Sequence, residues 1–329
     1  MSRYTPHFLY ALLFACTTFG LYAQTPMLYP PHLKKGDTVA IVATARSFQP
    51  EDLQPAIDTL RTWGLHVVLG KTIGPEYHQL AGTDEARARD LQQMLDNPAI
   101  KAIWAARGGY GTVRIIDMLD FTRFRKTPKW IVGYSDVTVL HSHIHTLGIA
   151  TLHATMPINV KKNSEASMQS LKKALFGKKL KYTHIPPRAQ NRTGVAEGQL
   201  VGGNLSILYS LLGSPSAIKT EGKILFIEDL DEYLYHIDRM MMNLKRNGYF
   251  DNIRGLIVGG MTKMHDNSIP WGKDAVGIVR DIAKAYNFPV CFDFPAGHIQ
   301  DNRALILGKD AVLKVTEDEV SLEFINRKN

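Results

Sequence analysis

A serine at a predicted strand-to-helix turn is the first residue placed where a nucleophile would stand. The segment Gly133–Asp136 (GYSD) follows an apolar strand and precedes a helical stretch, Val137–Thr146. Such a turn holds the Ser135 hydroxyl out at the carboxyl edge of a sheet, and the helix N-terminus behind it stabilises negative charge. Val137 stands where the familiar elbow pattern has a second glycine. The alternative is that Ser135 or Asp136 merely caps the helix.

A glycine-rich segment, Arg107–Gly111 (RGGYG), follows another predicted strand. Its spacing matches neither a phosphate-binding loop nor a dinucleotide fingerprint. Adjacent glycines let backbone N–H groups approach a ligand closely. The segment could therefore form an oxyanion hole together with the N–H group that follows the nucleophile. The alternative is a plain turn between a strand and a helix.

An acidic pair and a histidine at later strand ends could complete a nucleophilic site. Glu228 and Asp229 end the predicted strand 224–227, where a carboxylate is well placed to orient an imidazole. His298 comes shortly after a strand that ends at Phe294, and it could act as a general base. Taken singly, the acidic pair also fits a solvated loop, and the histidine fits a hydrogen-bonded loop residue.

The other histidines and the cysteines are weaker candidates for chemistry. His141, His143 and His145 alternate after the serine, but only the first and third share a helix face. No nearby carboxylate completes a metal set, so we expect no metal site at these histidines. Cys16 and Cys291 are the two cysteines, and apolar neighbours around Cys291 favour core packing over reactivity.

Alternating strand and helix signals must position these residues in the first half of the chain. Short apolar runs, rich in β-branched residues, alternate with helical patterns and predict a parallel sheet covered on both faces. These strand runs are 38–44, 66–69, 102–106 and 130–132.

The second half of the chain has more strands than helices. Its last three predicted strands follow one another closely, which indicates antiparallel pairing; they are 304–307, 311–315 and 320–324. A Lys-, Ser-, Asn- and Pro-rich stretch, 161–193, is interpreted as the connection between domains. We therefore expect an N-terminal α/β domain over 24–160 and a β-rich C-terminal domain over 194–329.

The first 23 residues have the pattern of a secretory signal peptide. Arg3 and His7 accompany an apolar run, 8–22, and a plausible cleavage site precedes Gln24. The run is shorter than the roughly 20 residues of a membrane-spanning helix. We therefore expect a soluble, exported, periplasmic protein with no stable membrane insertion. A retained N-terminal anchor and lipidation at Cys16 are the alternatives.

Composition excludes several broad classes of protein. The chain is 45% hydrophobic and 21% charged, which is ordinary for a globular protein and unlike disordered, collagen-like or coiled-coil sequences. Its net charge of +8 is spread along the chain with only short clusters. We interpret the excess as attraction to anions and expect no nucleic-acid partner.

Taken together, these segments resemble the LD-carboxypeptidase family of serine peptidases, which includes the microcin C self-immunity peptidases. The ordered matches span nearly the whole chain after the signal segment. They are 33–42 (LKKGDTVAIV), Arg107–Gly111, Gly133–Asp136, 197–205 (EGQLVGGNL), 225–229 (LFIED), 237–239 (IDR) and 297–298 (GH).

The resemblance implies a Ser–His–Glu triad with Ser135 as nucleophile, His298 as base and Glu228 as the acid that orients it. It implies an oxyanion hole formed by the backbone N–H groups of Gly109 and Asp136. The implied architecture is a flavodoxin-like N-terminal domain with a parallel sheet and a smaller β-rich α/β C-terminal domain. The active site would lie between the two domains, in a homodimer.

The implied reaction is hydrolysis of the bond between an L-diamino acid and the terminal D-Ala of a murein tetrapeptide, for which we expect no metal and no organic cofactor. Such an enzyme must recognise a terminal carboxylate, for which Arg107 is a candidate and Arg303 a weaker one. Either arginine could instead be a structural ion-pair partner. Two other functions stay open: a microcin-type aminoacyl-nucleotide peptidase, against which the export signal argues, and a non-catalytic periplasmic ligand-binding protein.

Overall fold

The computed structural model describes residues 27–325 of the chain. The expected signal peptide, residues 1–23, lies outside the described residues together with Cys16, so export and lipidation stay predictions. Among residues 27–325, no helix combines the length and the apolar character that crossing a bilayer requires.

Strands and helices alternate through the first half of the chain, and strands dominate its end. The strands are β1 (Thr38–Val42), β2 (His66–Leu69), β3 (Ile100–Ala105), β4 (Trp130–Gly133), β5 (Thr151–His153), β6 (Lys181–Ile185), β7 (Gly194–Asn204), β8 (Ile224–Leu230), β9 (Gly255–Thr262), β10 (Val290–Cys291), β11 (Leu305–Leu307), β12 (Asp310–Val315) and β13 (Val320–Phe324). The helices are α1 (Gln54–Thr62), α2 (Asp84–Asp96), α3 (Thr122–Lys126), α4 (Thr138–Thr146), α5 (Glu165–Leu175), α6 (Leu205–Ser210), α7 (Leu234–Arg246) and α8 (Ala275–Ala283).

The first sheet has the strand order β2-β1-β3-β4-β5-β11. Its first five strands are parallel, and β11 is antiparallel to β5 at the edge. Strands β1, β3 and β4 bury nearly all their side chains, as expected for a sheet that helices cover on both faces. The order 2-1-3-4-5 is that of flavodoxin-like folds. The expected N-terminal architecture is confirmed.

The second sheet has the order β10-β9-β8-β7-β12-β13-β6 and changes character at its longest strand, β7. The first half of β7, up to Gln199, pairs antiparallel with β12. Its second half, from Leu200, pairs parallel with β8. One side of the sheet is therefore parallel, like the first sheet, and the other side is antiparallel. This is the strand-rich α/β second domain that the sequence predicts.

Two features of the strands differ from expectation. Strand β7 has no clear strand signal, because glycine is depleted in strands and interrupts its apolar pattern. Gly202 is nevertheless required there, since a Cβ at this position would lie 1.9 Å from the carbonyl oxygen of Phe226. Strand β11 leaves its neighbours β12 and β13, which pair with each other, and joins the first sheet instead.

The carboxyl ends of the two parallel regions face each other across the domain boundary. The backbone N–H of Asn204, at the end of β7, donates to Thr138 Oγ1 at the start of α4 over 3.0 Å. A Cβ at Gly203 would lie 2.5 Å from that same hydroxyl, so the approach requires glycine. Residues that follow β4 and residues at the end of β8 are thereby brought to one place.

Candidate active site

Ser135 lies on a sharp turn directly after β4. Its φ of 62° is in the left-handed region, which is uncommon for a residue with a side chain. Gly133 permits this turn, because a Cβ there would lie 2.8 Å from Val137 Cγ2. A single 3-10 turn, Ser135–Val137, leads into α4. The backbone therefore forms a nucleophile elbow, with Val137 where the pattern has glycine.

Ser135, His298 and Glu228 form a continuous chain of polar contacts. His298 Nε2 lies 3.1 Å from Ser135 Oγ, and His298 Nδ1 lies 2.6 Å from Glu228 Oε2. The same Glu228 oxygen accepts the backbone N–H of His298 over 3.1 Å. Glu228 is fully buried. The spacing is that of a nucleophile, a base and a group that orients the base.

The charges of this pair support each other. Burial works against ionisation of both groups, but the charge and hydrogen bond of His298 lower the pKa of the Glu228 carboxyl overall. In the same way, burial opposes the imidazolium, yet the charge and hydrogen bond of Glu228 raise the pKa of His298. The site thus stabilises an imidazolium between the carboxylate and the serine.

The turn that carries His298 is held tightly against Glu228. Gly297 has a φ of 102°, and a Cβ there would lie 2.6 Å from Glu228 Oε2. Asn302 Oδ1 accepts the Gly297 N–H over 2.8 Å, and Thr262 Oγ1 donates to the His298 carbonyl over 3.1 Å. His298 is therefore fixed by its backbone as well as by its side chain.

The second oxygen of Glu228 is bound by Asn204. Asn204 Nδ2 lies 3.3 Å from Glu228 Oε1 and 3.0 Å from Asp229 Oδ1, and so bridges the two carboxylates. Burial and the neighbouring charge of Glu228 raise the pKa of Asp229 to about 7. Asp229 also accepts the backbone N–H groups of Ser206 and Leu230. It supports the end of β8 rather than the imidazole.

The glycine-rich segment lies against the serine. A Cβ at Gly108 would lie 3.2 Å from Ser135 Cβ and 3.3 Å from its Oγ, so only a glycine leaves space beside the hydroxyl. Gly109 has a φ of 111°, and a Cβ there would meet the side chain of Arg46 at 2.6 Å. The peptide between these two glycines therefore adjoins the space in which a reacting carbonyl would lie.

A buried polar network joins this segment to the elbow. Asp136 Oδ2 accepts both the N–H of Thr112, over 2.9 Å, and its hydroxyl, over 2.6 Å. Arg87 of α2 is fully buried and donates to the carbonyl oxygens of Gly111, over 2.9 Å, and Thr44, over 2.6 Å. Arg87 also pairs with Asp84. The glycine segment is thus fixed at its far end by charged groups.

The two arginines predicted to bind a carboxylate differ in their contacts. Arg107 is half-buried, and its Nη1 donates to the Ser47 carbonyl over 2.6 Å. Arg303 forms an ion pair with Asp301 at 2.9 Å and lies over the ring of Tyr182. The structure therefore favours a structural role for Arg303. Arg107, the first residue of the glycine segment, stays the candidate for binding the carboxylate.

The three alternating histidines each have a structural partner. His141 bonds with Thr151 Oγ1 and the Gly133 carbonyl, and burial lowers its pKa to about 3. His143 contacts Ser216 and His145 contacts Gln199. In the described part of the chain, no cluster of three or more His, Cys, Asp or Glu side chains could hold a metal ion. Cys291 is buried in β10, as predicted.

Several residues of the site were not singled out from the sequence. They are Arg46, Arg87, Thr112, Tyr134, Asn204 and Asn302. Asn204 lies within a segment that matches the family, 197–205, but its amide carried no separate signal. Tyr134 packs its ring 4.9 Å from that of His298, a contact that depends on two distant segments meeting.

Two family models match the chain. The LD-carboxypeptidase N-terminal domain covers residues 39–154, and the LD-carboxypeptidase C-terminal domain covers residues 197–313. The chain is also 37% identical over 303 residues to the probable murein peptide carboxypeptidase of Bacillus subtilis (strain 168), covering 89% of this chain and 94% of that protein. This chain belongs to the LD-carboxypeptidase family. The expected family and the expected serine-peptidase class are confirmed.

Solved structures of LD-carboxypeptidase relatives have the same architecture. The muramoyltetrapeptide carboxypeptidase from Oxalobacter formigenes superposes with a TM-score of 0.79 at 26% identity, over 89% of this chain and all of that chain. The microcin C7 self immunity protein MccF superposes with a TM-score of 0.80 at 22% identity, over 90% and 98% of the two chains. The second likeness is one of fold.

Proposed function

We propose that this protein hydrolyses the bond between an L-diamino acid and the terminal D-Ala of murein tetrapeptides. The observation that carries the proposal is the chain of contacts from Ser135 Oγ through His298 to Glu228, at 3.1 Å and 2.6 Å. Membership of the LD-carboxypeptidase family and the names of the Bacillus and Oxalobacter relatives support the choice of substrate class.

In the proposed mechanism, His298 Nε2 removes the hydroxyl proton of Ser135 as Oγ attacks the amide carbonyl carbon. Glu228 holds the imidazole in the tautomer that presents Nε2 to the serine, and it stabilises the imidazolium. His298 then gives the proton to the leaving nitrogen, which departs as free D-Ala. Water, deprotonated by the same imidazole, hydrolyses the acyl-enzyme and regenerates Ser135.

The oxyanion of each tetrahedral intermediate would be bound by the backbone N–H groups of Gly109 and Asp136. The first belongs to the peptide beside the Ser135 side chain, and the second follows the nucleophile at the start of the turn into α4. Loss of one such donor typically costs about 3 kcal/mol of transition-state stabilisation. Arg87 and Thr112 hold the segments that carry these two N–H donors in position, through their hydrogen bonds to Gly111 and Asp136.

Recognition of a terminal carboxylate requires a cation. Two arginines near the glycine segment can supply it. Arg107 begins that segment, and the side chain of Arg46 lies across Gly109. We assign the carboxylate of the terminal D-Ala to this side of the site, with Arg107 as the first candidate and Arg46 as the second. The diamino acid would then lie toward the second domain.

Export to the periplasm and assembly as a homodimer are part of the same proposal. The apolar run 8–22 and the cleavage site before Gln24 support export. The homodimer follows from the family resemblance. N-terminal sequencing of the protein from a periplasmic fraction tests the first, and light scattering of the purified protein tests the second.

Mass spectrometry of defined peptides tests the activity. We expect release of D-Ala from tetrapeptides with an L-diamino acid–D-Ala end and little release of L-Ala from the L–L isomer. A carbonyl misplaced by about 1 Å can cost about a hundredfold in rate. Amidation of the terminal carboxylate should also suppress cleavage. Equal turnover of all three peptides would contradict the LD-specific assignment, and preferential cleavage of an aminoacyl-nucleotide would favour the microcin-type activity.

A further inference from the structure

Lysines cluster at the amino edge of the first sheet, on the side opposite the candidate active site. Loops that enter parallel strands lie at the amino edge of a sheet, whereas Ser135 follows the carboxyl end of β4. Lys34 and Lys35 precede β1, Lys101 is near the start of β3, and Lys126 precedes β4. These lysines therefore lie at the edge remote from the reacting groups.

Three neighbouring concavities show that the lysines form one surface. The first contains Lys34, Lys101 and Lys126, and it shares His32 with the second. The second shares Lys178 with the third. We call this surface the lysine face; its members are Lys34, Lys35, Lys101, Lys126, Lys172, Lys173, Lys178, Lys179 and Lys309.

Few acidic side chains neutralise the lysine face. Among the residues that line the three concavities, Asp37 and Glu323 are the acidic ones. Glu323 forms ion pairs with Lys179 and with Lys181. Of these two lysines, Lys181 does not line any of the three concavities. Nine lysines against two acidic side chains give the lysine face a net positive charge.

Exposed apolar side chains adjoin the lysine face where the described chain begins. Leu28 is 49% exposed and Tyr29 is 44% exposed. Lys309 Nζ lies 5.7 Å from the centre of the Tyr29 ring. Lysines beside exposed leucine and tyrosine side chains are typical of surfaces that contact phospholipid headgroups.

We propose that the lysine face docks the protein on the anionic phospholipid surface of a membrane. Lysine ammonium groups act as point charges toward phosphates, and several of them on one face attract an anionic bilayer without inserting. The exposed Leu28 and Tyr29 favour a lipid surface over a soluble polyanion. In this orientation the catalytic edge faces away from the bilayer and stays open to peptides.

Sedimentation with vesicles tests the proposal, using the processed protein as isolated from cells. We expect binding to vesicles of phosphatidylcholine with phosphatidylglycerol, weaker binding to phosphatidylcholine alone, and loss of binding at high salt. The triple variant Lys34→Glu/Lys101→Glu/Lys126→Glu should bind at least about tenfold more weakly. The matched control Lys219→Glu/Lys245→Glu/Lys314→Glu changes the net charge equally on the second domain and should lose little.

Each other outcome would overturn the proposal. Equal losses in the two triple variants would mean that only net charge matters. Equal, salt-insensitive binding to neutral and anionic vesicles would assign the binding to apolar residues alone. Tighter binding to soluble polyphosphate or RNA than to vesicles would assign the lysine face to a polymer. Unchanged thermal unfolding of both variants confirms that the comparison is made between folded proteins.

Discussion

The two halves of the candidate site are built by different means. In the first domain, Ser135 and the glycine segment are shaped by backbone turns that few residue types can adopt, and Arg87 and Asp136 fix these turns from behind. In the second domain, Glu228 and His298 come from segments 70 residues apart and meet through charge and hydrogen bonds. The first half therefore depends on the conformation of its backbone turns, and the second depends on the protonation states of Glu228 and His298.

This difference also separates what the sequence could predict from what it could not. The elbow at Ser135 was recognisable because strand, turn and helix are consecutive, and each leaves a local signal. Residue patterns alone are equally compatible with Glu228 and His298 as ordinary loop residues. Only the family resemblance, carried by motifs that occur in order along the chain, assigns them to one site with Ser135. Alternating strands and helices predict that the first sheet is parallel, whereas no local pattern predicts the change of pairing within β7.

The residues that support the candidate site give no sequence signal of their own, and the reason is physical. Arg87 lies on α2 among charged residues of the kind found on any solvated helix, yet it is fully buried. Asn302 supports the His298 turn from within a polar loop. Their roles depend on which backbone groups need a partner after folding, and a single sequence does not contain that information.

Removing the charge of the second half should have the largest effect. Glu228→Gln keeps the shape but removes the carboxylate that holds the imidazole and stabilises its cation. We expect kcat to fall by about 10⁴-fold. The measurement is steady-state D-Ala release by the purified variant, and a loss of less than tenfold would contradict the role of Glu228.

The pH profile of the same variant tests how the Glu228 charge acts on His298. In the wild type, kcat/KM should fall on the acid side as His298 is protonated, at a pH above the ordinary imidazole pKa of 6.5, because Glu228 raises the pKa. In Glu228→Gln, burial lowers the pKa of His298 and is opposed only by the smaller effect of the Asp229 charge. The acid limb should therefore move to lower pH, and an unmoved limb would mean that another group controls it.

Filling the space beside the serine tests the first half. The Cβ introduced by Gly108→Ala would lie 3.3 Å from Ser135 Oγ, where the carbonyl must enter. We expect kcat/KM to fall by about a hundredfold. The thermal midpoint should change little, which distinguishes blocked access from misfolding. Near-normal turnover would place the reacting carbonyl on another side of the serine.

Breaking the network behind the glycine segment should affect stability more than activity. Lysine in Arg87→Lys cannot bond to both carbonyl oxygens while pairing with Asp84, so we expect a loss of about 3 kcal/mol in the free energy of unfolding. We expect kcat to fall by about tenfold, since the oxyanion donors would be less well fixed. The control is Arg89→Lys, at an exposed position of the same helix, which should change neither quantity. Equal effects of the two substitutions in denaturant titrations would contradict the role of Arg87.

Loosening the His298 turn should have the smallest effect. Asn302→Ala leaves the Gly297 N–H without its acceptor, at a cost of about 1–3 kcal/mol. Because Glu228 still holds the imidazole directly, kcat should fall only severalfold, with KM unchanged. A raised KM with unchanged kcat would indicate that Asn302 shapes substrate binding instead.

The most direct test of the account is capture of an acyl-enzyme on Ser135. The enzyme is mixed with an excess of tetrapeptide, quenched rapidly and analysed by intact-protein mass spectrometry. Its mass should increase by the mass of the tetrapeptide minus that of the released D-Ala. Peptide mapping should locate that adduct on Ser135, and Ser135→Ala should form no adduct and release no D-Ala. Normal release of D-Ala by a contaminant-free Ser135→Ala preparation would contradict the central claim that this serine is the nucleophile.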